Sequence, residues 1–221
     1  MERAELDDLA YIAGRGGPGL DPVLVVHSWW GLTGSFTSFA DQLAARGLLV
    51  GCIDLYDGAI ATTEREARAL RATRREPAYK QLRRCLDELR ARDEEGSTPS
   101  VVGFSMGGHW AVWLAQHPDP PVAAIVLYYA ARGGDFSRAT APVLAHFASD
   151  DDFVSRAARR SMERAVAARG LEYVAHDYPA TEHWFAESDA RQFSAGAAQL
   201  AFDRTASFLA RGFEPPAAGQ S

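Results

Sequence analysis

Short, wholly apolar runs alternate with segments of helical spacing along most of the chain, the pattern of strands joined by crossover helices in a mostly parallel sheet. Val23-Leu24-Val25-Val26 is a compact strand buried on both faces, preceded by a short Tyr11–Ala13 strand. Phe39, Leu43 and Ala44 recur at helical spacing within Ser38–Arg46, and Gly47 supplies the stop. Leu48–Leu55 reads as the next strand. Residues 62–92 mix arginine with glutamate, and Pro77 divides them into two helices with solvated faces. Strands follow at Ser100–Phe104, Val122–Tyr129, Val143–Ala148 and Leu171–Tyr178, interleaved with helices at Met106–Gln116 and Arg156–Arg169, and a last helix spans 195–211. This order predicts an α/β fold, with residues 1–213 as one domain and 214–221 as a loose, proline-bearing tail.

The segment Gly14-Arg15-Gly16-Gly17-Pro18-Gly19 imitates a phosphate-binding loop but precedes its strand. Such a loop must follow a strand and open a helix, so that helix amides face the phosphate, and a turn between two strands is the better reading.

Composition narrows the function classes. The 221 residues are 47% apolar and 24% charged, enough to build a sizeable core. A formal charge of -6 and a pI near 5.5 leave no field for phosphate backbones, which excludes a dedicated nucleic-acid binder. The longest apolar run, Val122 to Ala131, is far short of the ~20 residues of a membrane span. The segment Met1–Asp8 lacks the basic and apolar regions of a secretory signal, so a cytoplasmic protein is expected. Cys52 and Cys85 fall inside predicted elements with no Cys or His at ligand spacing, so neither a disulfide framework nor a metal site is expected.

The chemistry concentrates at Gly103-Phe104-Ser105-Met106-Gly107-Gly108, a Gly-x-Ser-x-Gly between a buried strand and a helix. A serine on that sharp turn is pushed out above the carboxyl edge of the sheet, and glycines two residues either side make the bend possible. Such a nucleophile needs a base and an orienting acid, in the chain order Ser, acid, His. Asp150-Asp151-Asp152 comes after the Val143–Ala148 strand, and His183 comes after the last strand. Strand carboxyl ends converge on one crevice, so these distant groups can meet. His109 and His117 on the helix and His146 and His176 within strands fit bland roles, whereas His27, which ends the first strong strand near the site, is a rival base and is assigned a secondary, pocket-lining role. Backbone donors for the oxyanion are expected at Met106, which starts the helix, and at Trp29 in the loop after the first strong strand. Trp30 fits a core position as well as a pocket wall.

The segments Val25-Val26-His27-Ser28-Trp29-Trp30-Gly31-Leu32, Asp54-Leu55-Tyr56, Gly103 to Gly108, Asp151-Asp152-Phe153-Val154 and Glu182-His183-Trp184-Phe185-Ala186 together resemble the landmarks of the dienelactone hydrolase family of α/β-hydrolases, over about residues 20–211. The resemblance implies an α/β-hydrolase fold with helices on both faces of the sheet and little or no lid. It also implies metal-independent hydrolysis of a small ester or lactone; separately, no cofactor and a monomer or small homo-oligomer are expected. The family's Asp-x-x-Val spacing selects Asp151 over Asp150 and Asp152, to act with Ser105 and His183. His27, Ser28, Trp30, Tyr56, Trp184 and Glu187 would surround the substrate.

Three departures from the family stand out. Its cysteine nucleophile is Ser105 here, its glutamate after the first strand is Ser28, and its arginine four residues beyond the histidine is Glu187. The loss of thiol and glutamate together is coherent, and an acid at 187 argues against an anionic dienelactone. Arg65 or Arg68 would correspond to a second substrate arginine. The expected function is serine-dependent ester or lactone hydrolysis; the rivals are a broader carboxylesterase or thioesterase, a ligand-binding member of the fold with slow or no turnover, and an interaction domain with accidental motifs.

Overall fold

A computed structural model of the chain describes residues 8–15, 18–72 and 77–213. The expected tail at 214–221, the first seven residues, and Gly16 and Gly17 of the glycine-rich segment lie outside the described residues.

The strands are β1 (Leu9–Ala13), β2 (Val23–Val26), β3 (Val50–Ile53), β4 (Ser100–Phe104), β5 (Ile125–Tyr128), β6 (Val143–Asp150) and β7 (Tyr173–Glu182). The helices are α1 (Gly34–Ala44), α2 (Glu64–Ala72), α3 (Ala78–Arg92), α4 (Met106–Gln116), α5 (Arg156–Ala168) and α6 (Ala195–Leu209). They build one sheet in the order β1-β3-β2-β4-β5-β6-β7, in which only β1 runs antiparallel to its neighbour.

Strict alternation of side chains divides the core in two. Leu24, Val26, Val101, Ile125 and Leu127 face Leu82, Leu86, Val112 and Met162 from α3, α4 and α5. Val23, Val25, Val102, Phe104 and Val126 face Phe36, Phe39, Leu43, Phe202 and Leu209 from α1 and α6. The uninterrupted apolar runs are thus a consequence of burial on both faces. Cys52 and Cys85 are buried on opposite sides of the sheet.

Element boundaries differ from the expected ones where pairing, not composition, decides. Only Val50–Ile53 of the 48–55 run pairs with β2. The last strand runs on to Glu182, which pairs with Asp150 after a register shift beyond Ala148. The first helix begins at Gly34, a turn before its spacing suggested, because Phe36 joins the buried face.

Parallel register carries the ends of β2, β4, β5, β6 and β7 to one edge. There, α4 crosses β2 so closely that a Cβ on Gly107 would stand 2.6 Å from the carbonyl oxygen of His27 and collide with that of Val26. Backbone cannot retreat as a flexible side chain can. Gly107→Ala is therefore expected to cost about 2–4 kcal/mol of stability. Gly196→Ala, in α6 with nothing within 4 Å of the new methyl, should leave the melting temperature unchanged or slightly raised. Thermal melts of the two variants beside the parent check this contrast.

Candidate active site

Ser105 joins β4 to α4 with φ 50° and ψ −107°, a conformation that a residue with a side chain adopts only when its surroundings impose it. The turn is imposed by hydrogen bonds on both sides. The Ser105 amide donates to the Tyr128 carbonyl at 3.0 Å, and its carbonyl accepts from the His109 amide at 3.1 Å. A Cβ on Gly103 would come within 2.6 Å of the Gly108 nitrogen, so the tight return of the chain requires glycine there.

The Ser105 hydroxyl lies 2.7 Å from His183 Nε2. His183 Nδ1 lies 3.0 Å from both carboxyl oxygens of Asp151. An ionised carboxylate only accepts, so the ring proton belongs on Nδ1 and Nε2 is left to accept from the serine. Asp151 Oδ1 also accepts from the amides of Phe153 at 2.8 Å and Val154 at 3.0 Å, which fixes the carboxylate in its turn. Asp150 pairs with Ser149 on the exposed end of β6, and Asp152 points to solvent. Of the three aspartates, the fold brings Asp151 to the histidine.

Aromatic rings close around this line. Phe153, 52% exposed, packs 4.7 Å from the His183 ring and 5.0 Å from Trp184. Trp29 stacks on Trp184 at 5.9 Å, and Trp30 lies 5.3 Å from Trp184. Trp29 belongs to the loop after β2, and Met106 is the first residue of α4, where an amide has no intrahelical acceptor. Arg68 lies over the Trp29 ring at 5.7 Å with Glu64 3.3 Å from its guanidinium, while Arg65 is exposed. Beyond Trp30 and Trp184 lies a cavity of about 520 Å³, lined also by Thr33 and Ile60.

Three residues expected on the pocket wall are instead sealed beneath it. His27, Ser28 and Glu187 are 0%, 0% and 1% exposed. The reason is polar pairing: Glu187 accepts from the Ser28 hydroxyl at 2.8 Å and from the Tyr129 hydroxyl at 2.8 Å. Glu187 therefore presents no charge to a substrate, and the repulsion expected of it does not arise. Burial pushes its carboxyl up to about 8, against the opposing pull of the two hydroxyl bonds, and Asp189 adds to the rise. Tyr56 is also buried and donates to the Met106 sulfur at 3.3 Å.

Two site residues were not foreseen. Tyr129 reads as the end of a strand, yet it leaves the sheet with φ 40° and sets its ring 4.9 Å from His183. Phe153 was visible only as part of the acid's loop. His146 instead lies in a buried network with Tyr178 at 2.8 Å and Thr205 at 3.0 Å. Among the described residues no group of three or more His, Cys, Asp or Glu could hold a metal ion, and no helix is long and apolar enough to cross a membrane.

The profile of the dienelactone hydrolase family matches residues 9–213. The chain belongs to that family. It is thus a carboxylic ester hydrolase by kinship. An Azospirillum brasilense protein named "Putative carboxymethylenebutenolidase" is 30% identical over 214 residues, 90% of this chain and 91% of that one. Among solved structures, a Klebsiella pneumoniae subsp. pneumoniae MGH 78578 protein named "Putative Dienelactone Hydrolase" superposes with a TM-score of 0.75 at 20% identity, covering 90% of each chain. The dienelactone hydrolase-like promiscuous phosphotriesterase P91, from metagenomic libraries, gives 0.74 at 19% identity over 88% of this chain and 87% of its own. At these identities the superpositions speak for the shared α/β-hydrolase fold.

The buried Glu187 has a consequence for stability. A carboxyl raised from 4.5 to about 8 on folding favours the folded state fully below the lower value, and that contribution is lost as pH rises toward the higher one. Glu187→Gln, which has no proton to lose, should gain in melting temperature relative to the parent from pH 5 to about 8 and hold a constant difference above it. Parallel melting curves across this range would refute the assignment.

Proposed function

We propose that the protein hydrolyses small esters or lactones through an acyl-enzyme on Ser105, with His183 as general base and acid and Asp151 as its orienter. The observation that carries this reading is the unbroken line from the Ser105 hydroxyl to His183 Nε2 and from His183 Nδ1 to Asp151. A serine hydroxyl is a weak nucleophile at neutral pH, and a hydrogen-bonded imidazole relieves it of its proton as it attacks. The imidazolium so formed faces a carboxylate that stabilises it in place. The proton then passes to the departing alkoxide, the acyl group stays on Ser105, and a water deprotonated by His183 attacks that ester to release the acid.

Charge that develops on the carbonyl oxygen is met by the amides of Met106 and Trp29. The rings of Phe153, Trp29 and Trp184 beside the histidine favour an uncharged, apolar acyl or alcohol group. Glu187 neither binds nor repels a charged substrate from beneath the wall, and Arg68 is countered by Glu64. Protein of this kind acts on a small-molecule substrate and needs no metal in any step.

Ser105→Ala should reduce ester turnover by ~10⁴-fold or more and abolish labelling by a fluorophosphonate probe. Asp151→Asn should cost about 10³–10⁴-fold through the wrong histidine tautomer. Asp150→Asn and Asp152→Asn should leave turnover near that of the parent. Steady-state hydrolysis of a nitrophenyl ester and peptide mapping of the labelled site decide the matter, and an active Ser105→Ala would end this reading.

A further inference from the structure

We propose that Glu187 is a positioning residue that presets the Trp29 amide for the oxyanion by gripping Ser28 from behind the pocket wall. The inference rests on the serine mechanism above and adds a part that no step of that mechanism requires.

The Ser28–Trp29 peptide is trans, so its carbonyl and its N–H point in opposite directions. Whatever fixes the Ser28 carbonyl therefore aims the Trp29 amide. His27 fixes it. The Leu55 amide donates to His27 Nε2 at 3.0 Å, which places the ring proton on Nδ1, and Nδ1 donates to the Ser28 carbonyl. The Gly31 amide reaches the same oxygen at 3.4 Å.

The Ser28 side chain supplies the second grip. Its hydroxyl donates to Glu187 at 2.8 Å and accepts from the Trp30 amide at 3.5 Å, so it spans Trp29 from the residue before to the residue after. Glu187 in turn is tied to the loop that bears the base. Its amide donates to the Trp184 carbonyl at 3.0 Å, and its other oxygen holds Tyr129, whose ring lies 4.9 Å from His183. One buried carboxyl thus locks the donor loop after β2 to the histidine loop after β7. A donor held in place before reaction spares the transition state the cost of reorienting it.

The test compares Glu187→Leu, Glu187→Gln and Ser28→Ala with the parent and with Ser105→Ala. Leucine keeps the site apolar and nearly filled, one atom shorter than glutamate, and releases both hydroxyls, whereas glutamine can still accept from one and donate to the other. Leucine at 187 should lower kcat about 30-fold with KM changed less than about twofold, short of the ~10²–10³-fold that deleting an oxyanion donor costs. Glutamine should recover most of that loss. Because the leucine variant leaves two buried hydroxyls without a partner and can fail to fold, Ser28→Ala gives an independent measure, with the same kcat loss expected. The acid limb of the pH–rate profile, which reports the histidine, should not move in any of these variants.

Parent-like kcat in both Glu187→Leu and Ser28→Ala overturns the proposal, as does a displaced acid limb, which would place the effect on the base. These results are distinct from failure of the underlying mechanism. That failure shows as undiminished turnover in Ser105→Ala, whatever position 187 does.

Discussion

The bare backbone contact between α4 and β2 at Gly107 is the constraint on which the site depends. It lets the first turn of α4 come down onto the carbonyls of Val26 and His27, with no side chain between them. Ser105 and Met106 at one end of that contact, and Ser28 and Trp29 at the other, are therefore held at a separation set by backbone dimensions. The mechanism proposed above asks a nucleophile and two backbone donors to serve a single carbonyl group, which leaves little tolerance for slack. Parallel register does the rest, since it delivers Asp151 and His183 to the same edge from the two neighbouring strands.

The sequence disclosed those features that arise from local pattern. Burial on both faces writes itself as continuous apolar runs, so the strands from Val23, Ser100 and Val143 were legible, as were the glycines about Ser105. The order of the motifs also pointed to His183 and to three adjacent aspartates, of which the family resemblance selected Asp151, the one that the fold brings to the histidine. What escaped notice depended on contacts between loops. Whether Glu187 points outward or inward cannot be read from its neighbours, because the answer lies in two hydroxyls, on Ser28 and Tyr129, that are 159 and 58 residues away. Polarity argued for a charge at the pocket wall, and the cost of leaving two buried hydroxyls unpaired argued for the opposite. The same holds for Tyr129, whose departure from the sheet leaves no mark in a sequence of aromatic and apolar residues.

The polar groups beneath the wall have a physical rationale in the loop that they support. A loop built of Trp29, Trp30 and Gly31 can adopt many conformations, and packing of indole rings alone is tolerant of small rotations of the peptide planes behind them. Hydrogen bonds are directional, and inside a low-dielectric interior they become more so in energetic effect. His27 and Glu187 act on opposite ends of Ser28, the carbonyl and the hydroxyl, so that the residue preceding Trp29 has neither its backbone nor its side chain free to turn.

Strain collects at the same edge. Ser105, Tyr129 and Trp184, with φ of 50°, 40° and 69°, each follow a different strand and meet around one imidazole. Positive φ at residues of this size costs of order 1–3 kcal/mol apiece and persists only where the surroundings over-determine the backbone. The hydrophobic cores on either face of the sheet bear that cost, and Tyr129 and Trp184 are themselves packed into one of them. Apolar burial along the strands supplies the stability, and the strand ends spend part of it on holding Ser105, Tyr129 and Trp184 in backbone conformations that they would not otherwise keep.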